Sequence, residues 1–306
     1  MATKSSPPGG WAGPLLVALA AILWATDALF RVPAVRALDP TWIVCIDHLI
    51  GTLVLLPWIL LKHGSGALQL RPRQWAGLVF VGAGASALAT VLFTASFRTL
   101  NPSVAILLQK LQPILVVLTA YAFLGERPAR HFYVWAPVAL ISALFLTFPN
   151  LEFYSHVRGL DPSSRGIIYA LSAAAIWGIA TTVARALLGS VPTAVATFWR
   201  YAFGLGFLLA LAAAAGRESP VGALIAQPRL AMTLLYMSLI PGLAAMIAYY
   251  NGLARTPASV TTFIELLFPV SAVTLNYLFL GSSLQLTQIL AGLVLLFAVL
   301  RISSPE

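Results

Sequence analysis

The chain is 306 residues long, 60% hydrophobic and only 9% charged, with a formal net charge of +9. Soluble domains carry about 25% charged residues, so this composition excludes a soluble globular protein and leaves little sequence for any soluble domain. The basic residues lie mostly in short loops between apolar runs, which is a membrane-topology pattern and argues against a nucleic-acid surface.

Ten apolar runs follow in chain order, at 12–30, 41–61, 75–97, 102–123, 133–149, 166–185, 195–215, 230–252, 258–280 and 284–301. Each approaches the roughly 20 residues that cross a bilayer core. The alternation of a membrane barrel is absent, so these runs are predicted helices. The first is too long for the apolar core of a cleaved signal peptide. Cys45, the one cysteine, excludes an internal disulfide and a multi-cysteine metal site. In the third run, Gly82-Ala83-Gly84-Ala85-Ser86-Ala87 superficially fits a dinucleotide turn, but with no preceding strand it reads as close helix packing. There is no HExxH, GxSxG or P-loop. The chain is therefore not expected to be an enzyme, to use a cofactor or metal, or to draw on ATP.

The second half repeats the first. Pro102 to Gly125 and Ala258 to Gly281, 156 positions apart, match at Ser103/Ser259, Val104/Val260, Leu111/Leu267, Pro113/Pro269, Val117/Val273, Tyr121/Tyr277 and the run Phe-Leu-Gly that ends each. Trp24 matches Trp177, and His48 with Gly51 roughly matches Arg200 with Gly204. The longest link, Asn150 to Arg165, divides the chain into units 1–150 and 151–306 of five runs each. Five is odd, so the second unit enters the membrane from the opposite side. The predicted fold is all-α: ten transmembrane helices as two inverted five-helix repeats. Such duplicated apolar chains most often move a solute across a membrane.

With the N-terminus inside, nine Lys/Arg fall in inner loops and seven in outer ones, Arg31 counted among the latter. This is a small bias of the right sign for that orientation.

Charges deep in a span are costly, roughly 2.5–3.5 kcal/mol each at the centre, so each one needs a reason. The candidates are Asp27, Asp47, His48, Lys110, Arg200 and Glu265. At about 1.5 Å rise per residue, Asp47, His48 and Lys110 fall to the outer side of the midplane, and Arg200 and Glu265 to the inner side. Asp27 is nearer the outer interface. Lys110 and Glu265 occupy nearly equivalent repeat positions, and inversion puts them at different heights. The expected pairs are therefore Lys110 with Asp47 or His48, and Arg200 with Glu265, in two polar layers. Two readings fit these charges: a substrate site with a proton carrier among His48, Asp47 and Asp27, or buried pairs that fix helix register. Pro113 and Pro269 are predicted to break their helices beside the charges. Trp24, Trp177, Tyr249, Tyr250 and Asn251 are candidates for a cavity wall, against a plain packing role.

With these two units, the Pro-x11-Gly frame of each fourth helix, and Phe123-Leu124-Gly125-Glu126-Arg127-Pro128, the chain resembles the drug/metabolite transporter superfamily in its EamA-like branch. Ser282 stands where the second copy of that frame usually has an acidic residue. The resemblance implies both termini in the cytoplasm, a cytoplasmic (inner) membrane location, and alternating access through a cavity lined by the third, fourth, eighth and ninth helices. It also implies a small-molecule substrate in a lipid-embedded monomer or homodimer. Charges of both signs favour export of an amino acid or a similar small zwitterionic or acidic metabolite; the alternatives are a phosphorylated or lipid-linked headgroup and a cationic drug.

Overall fold

The structure, a computed structural model, describes residues 10–150, 165–280 and 283–304. Gly281, Ser282 and most of the link between the halves lie outside the described residues.

Among the described residues, ten longer helices, one for each predicted run, are arranged in the expected order, with a short helix Val221–Ala226 between the seventh and eighth. They are α1 (Ala12–Ala37), α2 (Pro40–Lys62), α3 (Pro72–Ser96), α4 in pieces (Pro102–Gln109 and Gln112–Thr119, running on through Ala120–Leu124), α5 (Phe132–Thr147), α6 (Arg165–Leu188), α7 (Thr193–Ala214), α8 (Pro228–Leu253), α9 in two pieces (Ala258–Ile264 and Leu267–Leu280) and α10 (Leu286–Ser303). Among the described residues, eight of these are long and apolar enough to span, α1 makes a ninth if its bend is allowed, and α5 is a shorter apolar helix. Side chains such as Leu61, Phe123, Phe279 and Leu293 stand exposed on the outside, a surface suited to lipid and not to water.

Local chemistry accounts for the ends and bends. Pro40, Pro72 and Pro228 each open a helix, where their missing N–H costs no bond and their fixed φ is already helical. Asp39 caps α2 by accepting from the Thr41 N–H at 2.9 Å and pairs with Arg217 and Arg98, joining three loops at one end of the bundle. The first helix runs seven residues beyond its predicted end at Phe30 and bends by 42° between Asp27 and Leu29. Pro33 explains the bend, since its ring clashes with the carbonyl four residues back. Arg31 is consequently a buried helical residue, a correction to its placement in an outer loop.

Close packing rests on glycine at the crossing of α2 and α7. A Cβ on Gly51 would lie 2.6 Å from the Tyr201 ring, and one on Gly204 would lie 2.3 Å from the His48 ring. Each repeat thus lends a glycine to the other's aromatic side chain. Gly82 lets α3 approach the Arg200 carbonyl on α7, so the glycine-rich run is a packing surface as expected. That run also forms a π-helical stretch, Phe80–Ala89, and α8 has its own at Ser238–Ala244. These are repeat-equivalent positions.

Where α1 and α9 begin, the bundle is tied together. Gly125, at φ +67°, ends α4 in the left-handed conformation that favours glycine. This turn delivers Glu126 to the start of α9, where its carboxylate accepts from the N–H groups of Ala258 (2.9 Å) and Ser259 (3.0 Å) and from the Ser259 hydroxyl (2.8 Å). The first repeat therefore caps a helix of the second, satisfying N–H groups that have no partner in their own helix. Replacing Glu126 with Ala is expected to cost about 1–3 kcal/mol, read as a lower midpoint of thermal denaturation in detergent, with Gln recovering part of the loss. An unchanged midpoint would show that this cap does not hold the two halves.

Candidate functional site

Pro113 and Pro269 break α4 and α9 at the same depth in their repeats. Proline lacks an N–H and excludes the carbonyl four residues before it; here those carbonyls belong to Gln109 and Glu265. The chain answers with tight three-residue turns: Lys110 N–H to Leu107 (2.9 Å) and Leu111 N–H to Leu108 (3.2 Å) in α4, and Leu266 N–H to Phe263 (3.1 Å) in α9. Lys110 and Glu265 sit in the breaks themselves, outside both helical pieces.

The two breaks meet. The Gln112 amide of α4 donates to Glu265 at 3.4 Å, and the Lys110 ammonium stands 4.9 Å from the ring centre of Phe268 on α9. Lys110 is also within electrostatic reach of Glu265. Tyr249 of α8 donates to the second oxygen of Glu265 at 2.9 Å, and its ring lies 5.0 Å from that of Trp24.

Around this junction is a cavity of about 240 Å³. Its described lining comes from α1 to α4 and α6 to α9 and none from α5 or α10, a wider wall than the four helices expected. The lining extends to Phe97 and Ile106, at the end where α3 finishes and α4 starts. The opposite end is closed by the Glu126 cap, by Arg185 donating to the Ala254 carbonyl at 2.6 Å, and by the approach of Gly252 to the Gly13 backbone.

Two further polar clusters face the cavity. In one, Arg31 lies between Asp27 and Asp47, reaching Asp27 through two nitrogens and Asp47 at 3.3 Å. Ser238, in the π-helical stretch of α8, donates to the other Asp47 oxygen at 2.9 Å. In the second, His48 Nδ1 lies 2.7 Å from the Val44 carbonyl and Nε2 lies 2.9 Å from Ser86 Oγ. Arg200 Nε donates to the same Ser86 oxygen at 3.0 Å, and Nη1 donates to the Tyr250 hydroxyl at 2.9 Å. A carbonyl only accepts, so Nδ1 carries the hydrogen; Ser86 then donates to Nε2 and accepts from Arg200. The directions are consistent along the whole chain of bonds.

The cavity therefore gathers Trp24, Asp27, Asp47, His48, Lys110, Pro113, Trp177, Arg200, Tyr249 and Glu265. Tyr250 stands behind the wall, 1% exposed, and holds Arg200. Asn251 points elsewhere, bonded to Ile247 and Thr193; one position along a helix from Tyr250, it is turned about 100° away. Pro269 lines a second cavity with Asn276 and Gln288. The predicted ion pairs are corrected: Asp47 is held by Arg31, Glu265 by Tyr249 and Gln112, and Arg200 by Ser86 and Tyr250. The depth estimate took the helices as straight, and the proline breaks bring α4 and α9 side chains together across their height difference. Sequence reasoning missed Arg31, Gln112 and Ser238, and read Ser86 only as part of a packing run. For Arg31 the signal was present, an Arg four residues after an Asp.

The comparisons with known proteins agree with this architecture. The EamA-like transporter family matches residues 11–148 and again 164–304. A protein named riboflavin transporter ImpX, from Fusobacterium nucleatum, is 29% identical over 95% of this chain and 97% of its own length. An uncharacterized transporter from Clostridium kluyveri is 25% identical over 91% of this chain and 88% of its own. A solved crystal structure shares the fold, with a TM-score of 0.76 at 20% identity and 96% coverage of both chains.

Arg31 is the cation of a three-member cluster, so removing it leaves the buried Asp47 and the part-buried Asp27 carboxylates facing each other. Arg31→Met is expected to destabilise the protein by about 3–5 kcal/mol, with Asp47→Asn in the same chain recovering part of it. Thermal denaturation of the single and double variants tests this, and strictly additive losses would show that the two side chains are not coupled.

Proposed function

The chain belongs to the EamA-like transporter family, and from that premise we propose that it carries a small zwitterionic or acidic metabolite, such as an amino acid, by alternating access through the central cavity. The observation that carries the reading is the meeting of the two proline breaks at Lys110 and Glu265, on a cavity walled by both repeats. Breaks of this kind leave backbone and charge available to a ligand near the midplane. Units 1–150 and 151–306 rock about that site. In the present arrangement the end with the Glu126 cap is closed.

The charges suit such a cargo. Asp27, Asp47 and Glu265 face the cavity against Arg31, Lys110 and Arg200, three of each sign. The Asp27–Arg31–Asp47 cluster keeps one surplus negative charge for an ammonium, and Lys110 or Arg200 takes a carboxylate. Protons or a counter-substrate drive the cycle, with Asp47 or Glu265 as the proton carrier; His48, accepting from Ser86, is committed to holding the wall. The protein sits in the cytoplasmic membrane with both termini inside, a reading supported by the loop charges: without Arg31 the count is nine inner to six outer.

A second reading has its own support. Trp24, Phe93, Trp177 and Tyr249 give the cavity an aromatic wall, which suits a planar heteroaromatic solute, and one relative is named as a riboflavin transporter.

Reconstitution into liposomes tests both readings, with counterflow of amino acids, small organic acids and riboflavin measured side by side. We expect an amino acid or acid to exchange, and Glu265→Gln to reduce that exchange by at least about tenfold while the protein remains folded. Exchange of riboflavin alone would favour the second reading. A protein that moves nothing in the panel, under a proton gradient or against counter-substrate, would sink both.

A further inference from the structure

We propose that Arg200, held by Ser86, His48 and Tyr250, is a preorganised subsite for the carboxylate of the transported solute. The inference rests on the transporter reading and assigns one chemical group of the cargo to one place in the cavity.

Arg200 is 8% exposed and lines the cavity. Among the described residues no carboxylate lies within ion-pair distance of it, whereas Arg31 has two. Its partners are neutral: the Ser86 hydroxyl, the Tyr250 hydroxyl, and the Tyr250 ring, whose centre is 5.5 Å from the guanidinium carbon. A guanidinium at this depth without a counter-ion is costly, and neutral hydrogen bonds offset only part of that cost. The protein thus holds a buried cation whose anion is missing from its own described side chains.

The same contacts fix where that anion binds. Nε and Nη1 are engaged on Ser86 and Tyr250, and Nη2 has no protein partner among the described residues. Ser86 is oriented in turn, because its hydroxyl hydrogen is drawn to His48 Nε2 and its lone pair is left for Arg200. His48 is fixed by the Val44 carbonyl and by the space at Gly204. The guanidinium is therefore held at two points and presents its remaining donors to the cavity, a geometry suited to a planar carboxylate. One open cationic edge matches one negative charge. A phosphate dianion would need a second cation, and Lys110 is already drawn to Glu265 and the Phe268 ring. Equilibrium binding is lowered less by loss of Ser86 than by loss of Arg200, because Ser86 acts only by positioning.

The test uses three small aromatic probes that differ in one group: benzoate, its neutral isostere benzamide, and phenyl phosphate. Each is titrated against detergent-purified full-length protein, and the affinity is read from the rise in denaturation temperature. Benzoate is expected to bind and benzamide to bind at least about tenfold more weakly, the worth of one charge-assisted contact. Arg200→Gln should remove the preference for benzoate, Arg200→Lys should keep part of it, and Ser86→Ala should reduce it several-fold. Equal affinity for benzoate and benzamide, no stabilisation by benzoate, or an undiminished preference in folded Arg200→Gln would each overturn the proposal. Tighter binding of phenyl phosphate than of benzoate would overturn the carboxylate assignment. If Arg200→Gln does not fold, the wild-type comparison and Ser86→Ala decide. The liposome assay separates the two readings. Benzoate selectivity in a protein that transports nothing would refute the transport reading and leave the subsite, whereas undiminished carboxylate transport by Arg200→Gln would refute the subsite alone.

Discussion

In a bilayer every backbone donor and acceptor must find a partner inside the protein, and Pro113 and Pro269 prevent that from being done by a plain helix. The rest of the site depends on how the two breaks are resolved. Each is bridged by tight turns, and each turn carries a charged residue, Lys110 in one and Glu265 in the other. Because the repeats are inverted, the breaks come from opposite sides of the membrane and meet, with Gln112 bonded to Glu265 and Lys110 over Phe268. A strain that would be a defect in an isolated helix becomes the junction of the two halves.

The remaining polar groups follow the same rule of mutual satisfaction. Asp27, Arg31 and Asp47 neutralise one another in part, and Ser238 reaches Asp47 from a π-helical stretch of α8. The equivalent stretch in α3 leaves the Ala85 carbonyl to accept from the Trp177 indole at 2.9 Å. Wide turns of this kind release backbone groups from the helical ladder, and here both released regions face the cavity. Among the described residues, His48, Ser86, Arg200 and Tyr250 form a cluster whose charge has no opposite among its members.

The repeats are not interchangeable. Glu126 ties the end of α4 to the start of α9, while the corresponding position in the second repeat is Ser282, which has no carboxylate with which to make the same cap. The two copies of the frame therefore differ at the very position that makes this cap in the first.

Much of this was legible in the chain. The apolar runs, their number and the 156-residue repeat determined an all-α membrane protein of two inverted units, because spanning length and backbone satisfaction admit few alternatives. The buried charges and the paired prolines marked the right helices, since a charge or a proline in a span is conspicuous against its background. The tertiary structure decided the partners. Arg31 looked like a loop residue until α1 was seen to continue past Phe30, and Asn251 looked equivalent to Tyr250 until the helix turned it away. The pairing of Lys110 and Arg200 was misjudged from depth alone, because depth follows from residue count only along a straight helix. Where proline bends the chain, which side chains meet depends on the angles and rotations of helices far apart in sequence.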